Sequence, residues 1–317
     1  MTKYISKKII TAIVLIFLVS LLTFILMQFL PGDPAAIALG DAATEADIQA
    51  YRDAYGLNDP VAVQYMHWIK GIITKWDFGK SILNARDVTA YINERLPNTI
   101  SIGLPGLLFG VFVGILIGII SALKRGTWID QTLTVIVNLF LGSPRFLVAI
   151  FGVMILGVHF KLIPLQGYTA PWVNFGKYLH QSFWPIVVNA IYTTAILARQ
   201  TRSNMLEVTN QDYVRSARAN GLPEGKIIFK YTLKNALIPV VTIIGLQMRN
   251  IVAGAVIIEN VFNIPGIGQM LLLGIQQRDY FIVQACVLVI SVVTIFCNLF
   301  VDVAYGFIDP RVRKSMG

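Results

Sequence analysis

Charged residues are scarce in this sequence, at 14% of its 317 residues. A water-soluble domain usually carries about 25%, so the composition argues against a soluble protein. Cysteine and histidine are also rare, with two and three residues. Cys286 and Cys297 are interpreted as two free thiols on one helix face, and His67, His159 and His180 lack metal-ligand spacing. The sequence therefore predicts neither a disulfide framework nor a metal site.

The sequence also lacks the motifs of an enzyme. It has no G-x-x-x-x-G-K-[ST] phosphate-binding loop; the segment Gly221-Leu-Pro-Glu-Gly-Lys-Ile227 is one residue short and has no Ser or Thr. No cluster of His, Cys and Ser offers a nucleophile with a base. We expect no catalytic residue, no ATP hydrolysis and no cofactor in this chain.

Long apolar runs are abundant. Hydrophobic residues make up 56% of the chain, and a membrane helix needs about 20 consecutive apolar residues. Helices are expected because lipid offers no partners to unpaired backbone groups. The first run is too long for a signal peptide and no cleavage site follows it, so we expect a retained helix. The sequence predicts an all-α polytopic membrane protein with about six transmembrane helices: Ile9–Leu30, Thr99–Leu123, Thr132–Val158, Trp184–Ala198, Leu237–Ile258 and Phe281–Phe307.

Charges between the runs predict the orientation. If the N-terminus is cytoplasmic, the inner segments hold 15 Lys/Arg against five Asp/Glu, and the outer segments hold nine against 11. An excess of Lys and Arg marks the cytoplasmic side, so both termini are expected there. The net charge of +9 lies in short loops beside the spans, so nucleic acid is not an expected partner. The inner segments are 1–8, 124–131, 199–236 and 308–317.

Residues 31–98 form the one long outer segment. Thr44 and Asp47 have the spacing of a helix cap, Asp59-Pro60 ends that helix, and Val63–Ile73 is predicted as a second amphipathic helix. This segment is expected to be a small external cap.

The second run carries glycine at every fourth position, which leaves a smooth groove along one helix face. We expect a close packing seam there, although the sequence does not identify the helix that fills it. The glycines are Gly106, Gly110, Gly114 and Gly118.

The inner segment 199–236 is unusually long for a connection. Asp212 is expected to cap a short helix, Gly221 to end it, and Lys226–Asn235 to form a second helix that leads into the fifth run. A basic helix lying on anionic lipid is the alternative. A small-residue face favours a protein partner; it consists of Ser216, Ala217 and Ala219.

The sequence Arg215-Ser216-Ala217-x-x-x-Gly221 resembles the E-A-A-x-x-x-G cytoplasmic loop of ABC importer permeases. Arg215 and Ser216 depart from the general pattern, as does Tyr231-x-Leu233-Lys234 in place of I-x-L-P; these departures suit the dipeptide, oligopeptide and nickel branch of the family. Similar segments cover almost the whole chain in order. They are Leu30-Pro-Gly-Asp-Pro34, Asp77-Phe-Gly-Lys-Ser81, Tyr213–Gly221, Asn235-Ala-Leu-Ile-Pro239, Gly254–Phe262, Pro265-Gly-Ile-Gly268, Arg278-Asp-Tyr280 and Asp309-Pro-Arg311.

The resemblance implies a type I ABC importer permease fold and a multi-pass subunit of the cytoplasmic membrane of a prokaryote, surrounded by membrane lipid. It implies a second homologous permease, two cytoplasmic ATPase subunits that carry ATP and Mg, and an extracellular or periplasmic substrate-binding protein. Di- or oligopeptides are the implied cargo, carried by alternating access. The implied ATPase-coupling residues are Tyr213, Arg215, Ser216, Ala217, Ala219, Gly221 and Leu222.

The expected domain division follows the same pattern. Residues 1–30 hold the first span, 31–98 the external cap, 99–307 the permease core with its coupling loop 199–236, and 308–317 a cytoplasmic tail.

Arg145 and Arg249 lie inside the predicted spans, about 18–20 Å from their inner ends. A charge near the middle of the bilayer costs about 2.5–3.5 kcal/mol on insertion scales and should face the bundle interior or water. One hypothesis is that both arginines and Asn250 line a substrate path and attract a carboxylate; the alternative is pairing with a partner permease or with backbone carbonyls. Asp302, about 8 Å from the inner end of its span, is poorly placed to neutralise them.

The connection between the fifth and sixth runs is expected on the outer side. It could face the binding protein or be an ordinary loop. Its candidate residues are Glu259, Phe262, Pro265, Gly266 and Gly268.

Other functions stay open at this point. The same machine could carry a nickel chelate, glutathione or a glycoside. An ion-coupled secondary transporter is the alternative of a different class, but such proteins commonly show internal repeats and acidic residues inside the membrane. No repeat is visible here, and Asp302 is the one acid within a run.

Overall fold

A computed structural model describes residues 2–29, 32–40, 42–164 and 166–308, with side-chain surroundings between Ile5 and Val303. The described chain is helical apart from loops and one isolated antiparallel bridge between Lys80 and Asp87. The motif Asp309–Arg311 and the predicted tail from 309 onward lie outside the described residues, as do Leu30 and Pro31. The helices are α1 (Thr2–Gln28), α2 (Pro34–Leu39), α3 (Glu45–Ala54), α4 (Val61–Lys75), α5 (Val88–Leu123), α6 (Trp128–Gly142), α7 (Arg145–Gly152), α8 (Phe175–Thr209), α9 (Asp212–Ala219), α10 (Glu224–Lys226), α11 (Lys234–Gln247), α12 (Asn250–Ala253), α13 (Ala255–Val261), α14 (Ile267–Gln277) and α15 (Tyr280–Ile308).

The prediction of a helical polytopic membrane protein is confirmed. Four helices are long and apolar enough to cross a membrane: Ile5–Gln28, Val88–Leu123, Glu224–Gln247 and Tyr280–Val303. The pair α6 and α7 makes a fifth if the two are one broken span. The fourth predicted run lies within α8, whose 35 residues reach about 50 Å, but α8 is not apolar enough to join this set. Six spans and their orientation therefore stay predictions.

The α5–α8 pair forms the centre of the bundle, and the predicted glycine seam is its interface. A methyl group on Gly110 would lie 3.0 Å from the carbonyl oxygen of Ala190, and one on Gly114 would lie 2.7 Å from that of Thr194. One on Gly118 would lie 2.5 Å from Cβ of Thr201. The two backbones approach this closely because the groove carries no side chains, so α8 is the helix that the sequence left unidentified.

Two of the predicted spans are broken. The run Thr132–Val158 bends by 108° between α6 and α7, because Pro144 ends the first helix and begins the next. A π-helical segment, Val153–His159, then continues α7. The run Leu237–Ile258 is divided among α11, α12 and α13 at Met248–Arg249 and Gly254. Both segments were expected to be continuous helices, and that expectation is wrong.

The first and last long helices lie side by side. Nζ of Lys8 in α1 lies 2.7 Å from Oδ2 of Asp302 in α15. Since Lys8 is near the start of α1 and Asp302 near the end of α15, these two helix ends lie on the same face of the bundle. Asp302 thus pairs with Lys8.

The external cap matches its predicted helices. Thr44 and Asp47 form a capping box at the start of α3, and α4 covers Val63–Ile73. Tyr65 of α4 bonds to Ser20 of α1 at 2.8 Å. The hydroxyl of Ser81 donates to the buried carboxylate of Asp279 at 2.5 Å, which also caps α15 through the amide of Ile282 at 3.3 Å. The cap is therefore fastened to both outer helices of the bundle.

Candidate functional site

Residues 207–235, which the sequence predicts to couple to an ATPase and which are named the docking loop for that reason, contain the end of α8, then the helix α9, a tight turn and a second helical stretch. The amide of Leu222 bonds to the carbonyl of Ala217 at 3.3 Å, and the amide of Gly221 to that of Arg218 at 3.0 Å. These two bonds are the Schellman motif, which needs a left-handed residue just past the helix end. Gly221 supplies it with φ of +73°. The predicted glycine stop of this helix is therefore correct.

Two details of the docking loop differ from expectation. Asp212 is the first residue of α9 and not its cap; Gln211 precedes the helix and makes no capping bond through its side chain. The second helix does not end at Asn235 but continues as one helical stretch from α10 through a π-helical segment, Ile227–Leu233, into α11. The loop is consequently continuous with a membrane-spanning helix.

A small apolar core holds the docking loop together. Val214 and Ile227 are buried in it, and Ala217 is 6% exposed. Ala217 thus faces into the loop, although the sequence groups it with Ser216 and Ala219, which are exposed. Leu222 is half-buried against the same core. The surface that α9 offers to another protein is its other face, made of Tyr213, Arg215, Ser216 and Ala219.

Polar bonds fix the shape of that surface. Nε and Nη2 of Arg218 lie 2.6 and 3.3 Å from the two carboxylate oxygens of Glu224. The amide of Asn235 donates to the hydroxyl of Tyr213 at 3.0 Å. The turn and the base of the fifth run are therefore tied to α9.

Arg145 lies at the break between α6 and α7, half-buried inside the bundle. Its guanidinium carbon is 4.8 Å from the centre of the Tyr192 ring on α8, a cation–π distance. A methyl group on Gly254, at the break between α12 and α13, would lie 2.7 Å from Nη1 of Arg145. Two interrupted segments therefore meet at this arginine.

Asn250 belongs to the same place, whereas Arg249 is exposed in the turn before α12. The carbonyl of Asn250 accepts a bond from the amide of Gly254 at 3.0 Å, and its side-chain amide donates to Gln247 at 2.6 Å. The structure thus brings Arg145 and Asn250 together at Gly254.

Glu259 is fully buried, which corrects its assignment to a surface that faces a binding protein. Its Oε2 accepts bonds from the amides of Gly268 and Gln269 at 2.7 and 3.0 Å, so it caps the N-terminal end of α14. Gly266 and Gly268 are buried, Phe262 is 4% exposed, and Pro265 is half-buried. Glu259 is buried because the segment that follows it folds back over the carboxylate instead of projecting outward.

The sequence analysis missed a buried ion pair at the predicted inner end of the bundle. Arg202 of α8 binds Asp130 of α6, which also accepts bonds from Ser121 at 2.5 Å and from the amide of Gly126 at 3.0 Å. The available signal was Asp130 itself, the one acid in the basic segment 124–131.

The helical bundle, the broken spans and the docking loop are features of a transport subunit in a membrane. Residues 1–103 match the family described as "Binding-prot-dependent transport system membrane comp, N-term", and residues 114–314 match "Binding-protein-dependent transport system inner membrane component". The chain belongs to this family of inner membrane components of binding-protein-dependent transport systems.

Three relatives match this chain over nearly its whole length. The chain is 34% identical over 316 residues to the "Probable peptide ABC transporter permease protein y4tP" of Sinorhizobium fredii, covering 98% of this chain and 99% of that one. It is 35% identical over 316 residues to the "Oligopeptide transport system permease protein AppB" of Bacillus subtilis, covering 99% and 100%. A "Putative peptide permease protein" of Brucella suis is 36% identical over 320 residues, covering 99% and 100%.

A solved structure of the inward-facing MetNI methionine ABC transporter shares the fold. The TM-score is 0.54 at 18% identity, over 69% of this chain and 97% of the other. The type I ABC importer permease fold expected from the sequence is thereby confirmed.

Proposed function

We propose that this chain is the channel-forming permease subunit of an ATP-driven importer of di- or oligopeptides in the cytoplasmic membrane. The observation that carries the proposal is the docking loop on a fold of this class, because its exposed helix α9 connects α8 to the helical stretch that ends in α11. Relatives of full length named as peptide permeases support the cargo. A nickel chelate, glutathione or a glycoside remains the alternative cargo.

In this proposal the chain supplies the path and other subunits supply the energy. A second homologous permease completes the channel, two cytoplasmic ATPase subunits bind ATP and Mg, and a binding protein outside the membrane delivers the cargo. The exposed residues Tyr213, Arg215, Ser216 and Ala219 would enter a cleft of one ATPase. Ala217, Gly221 and Leu222 would act indirectly, since they hold the shape of the loop.

Movement of the ATPases would be transmitted to the substrate path along two helices, α8 and α11. Asn204 of α8 bonds to the carbonyl of Ala236 at 3.1 Å, so α8 and the base of α11 are joined near the docking loop. Farther along, α8 carries Tyr192 near its middle and α11 leads to Asn250. A displacement of the loop would therefore shift both sides of the space around Arg145, which is the change that alternating access requires.

The domain division stays part of this proposal, with the external cap at 31–98 and the core at 99–307. Arg145, Arg249 and Asn250 are proposed to line the path, and the exposed Asn263 with the half-buried Pro265 is what the α13–α14 connection offers to a binding protein.

The substitution Ala219→Glu tests the coupling surface. It places a charge on the exposed face of α9, so we expect loss of ATPase co-purification or of cargo-stimulated ATP hydrolysis while the membrane abundance stays normal. Ala50→Glu is the matched control, because Ala50 is also exposed on a helix but lies in the cap. Normal assembly and normal import by Ala219→Glu would contradict the assignment.

A further inference from the structure

We propose that Arg145, Asn189 and the glycine break at Gly254 form a subsite for the free carboxylate end of a peptide cargo. The inference rests on the proposed function, since it specifies which part of the cargo the permease itself recognises.

Arg145 is a half-buried cation without an anion. In the part of the chain that the structure describes, it forms no ion pair and no hydrogen bond, and its guanidinium lies over the Tyr192 ring. A guanidinium has five N–H donors, and buried arginines are normally paired. Its donors are therefore available to a ligand.

The backbone around Arg145 adds to the positive potential. Arg145 is the first residue of α7, an eight-residue helix that follows Pro144 and has no side-chain cap. The N-terminal end of a helix carries a partial positive charge and unpaired amide groups. A positively charged side chain is unfavourable at this helix end, whereas an anion is favourable. The helix end and the guanidinium therefore both favour an anionic ligand.

Asn189 supplies the second, independent observation. It is 6% exposed, and its side chain forms no hydrogen bond with any other described residue. A methyl group on Gly254 would lie 3.3 Å from Oδ1 of Asn189 and 2.7 Å from Nη1 of Arg145. Both polar groups thus lie against the same glycine, whose missing side chain lets them approach the backbone closely.

These groups match the end of a peptide. Arginine binds a carboxylate through two parallel N–H donors, and an asparagine amide can bond the peptide group next to that carboxylate. Pairing with an acid of the partner permease is the competing explanation. It predicts that Arg145 supports assembly and does not distinguish one cargo from another.

The test compares import of one short peptide as its free acid and as its C-terminal amide, by vesicles that contain the whole transporter. The binding protein can itself prefer one form, so the quantity measured is the change in the acid-to-amide ratio caused by each substitution. Membrane abundance is measured for every variant. Arg125→Ala is the control, because Arg125 is exposed in the turn between α5 and α6.

Arg145→Ala is expected to lower import of the free acid by about tenfold or more, the value of a charge-assisted hydrogen bond, while import of the amide is unchanged. Arg145→Lys, which keeps the charge without the paired donors, should retain part of the selectivity. Asn189→Ala should lower import of the free acid and of the amide alike by about threefold, because both carry the peptide group that Asn189 would bond.

Equal loss of both peptides in Arg145→Ala and Arg145→Lys, or no change in either, would overturn the subsite and leave the proposed function standing. Failure of the unmodified transporter to import either peptide would overturn the proposed function, and the subsite with it.

Discussion

Arg202 and Asp130 form a two-pronged ion pair that joins α8 to α6. Nε of Arg202 lies 2.7 Å from Oδ1 of Asp130, and Nη2 lies 2.8 Å from Oδ2. The Asp130 side chain is 6% exposed and that of Arg202 is 31% exposed. Ser121 and the amide of Gly126 complete the bonds to the carboxylate, so the pair joins α8 to the end of α5 and the start of α6.

Removing one partner of this pair should destabilise the protein. Asp130→Ala leaves an arginine and a serine without their acceptor, so we expect a loss of about 1–4 kcal/mol, between the values for exposed and buried pairs. Thermal unfolding of the purified complex in detergent measures it. The exposed pair Arg218–Glu224 is the matched control, and Glu224→Ala should lower the unfolding temperature by less than Asp130→Ala does. Equal effects of the two substitutions would show that burial of Asp130 does not matter.

The α5–α8 seam should reject even one methyl group. In Gly114→Ala the new carbon would lie 2.7 Å from the carbonyl oxygen of Thr194, and we expect destabilisation of about 1–3 kcal/mol from overpacking. Gly142→Ala, at the end of α6, meets nothing within 4 Å and should be tolerated. The yield of folded protein after detergent extraction distinguishes them; full yield of Gly114→Ala would contradict the seam.

Glu259 and Gly266 should show strong coupling in a double-mutant cycle. A methyl group on Gly266 would lie 2.2 Å from Cδ of Glu259, so Gly266→Ala should displace the carboxylate from the end of α14. Glu259→Ala removes the same cap, at about 1–3 kcal/mol. The double variant should be less destabilised than the sum of the two, as measured by unfolding temperature. Simple additivity, typical of independent sites, would contradict the shared cap.

Substitution of Gly221 should destabilise the docking loop through backbone strain alone. A methyl group on Gly221 has no neighbour within 4 Å, but its φ of +73° is strained for other residues. Gly221→Ala should therefore cost the loop about 1–2 kcal/mol and weaken ATPase binding. Gly225→Ala has the same open surroundings without positive φ and is the control. ATPase affinity that is equal in the two variants would rule out a role for the turn.

Sequence patterns predicted the features of this fold that depend on residues close together in the sequence. The Thr44–Asp47 cap, the glycine stop at Gly221 and the packing groove on α5 each follow from neighbouring residues, and the structure confirms them. The positions of the long helices follow from apolar length.

Properties that depend on tertiary packing could not be predicted in this way. Hydropathy does not detect the 108° bend between α6 and α7, because the residues on both sides are equally apolar. Pro144 was the local signal for a break there, but the angle depends on packing. Burial of Glu259 depends on α14 folding back over it, and a charged residue beside a glycine-rich loop looks the same in sequence whether it faces water or a helix end. The Arg202–Asp130 pair joins residues 72 positions apart, which no local pattern reveals.

The energy source of transport tests the central claim most directly. The complete transporter, with its binding protein outside and ATP inside, would be placed in sealed vesicles, and accumulation of a labelled short peptide would be measured with and without ionophores. We expect accumulation that requires ATP and the binding protein, survives collapse of the ion gradients, and is lost in Ala219→Glu. Accumulation that proceeds without ATP and stops when the gradients collapse would identify an ion-coupled transporter and contradict this account.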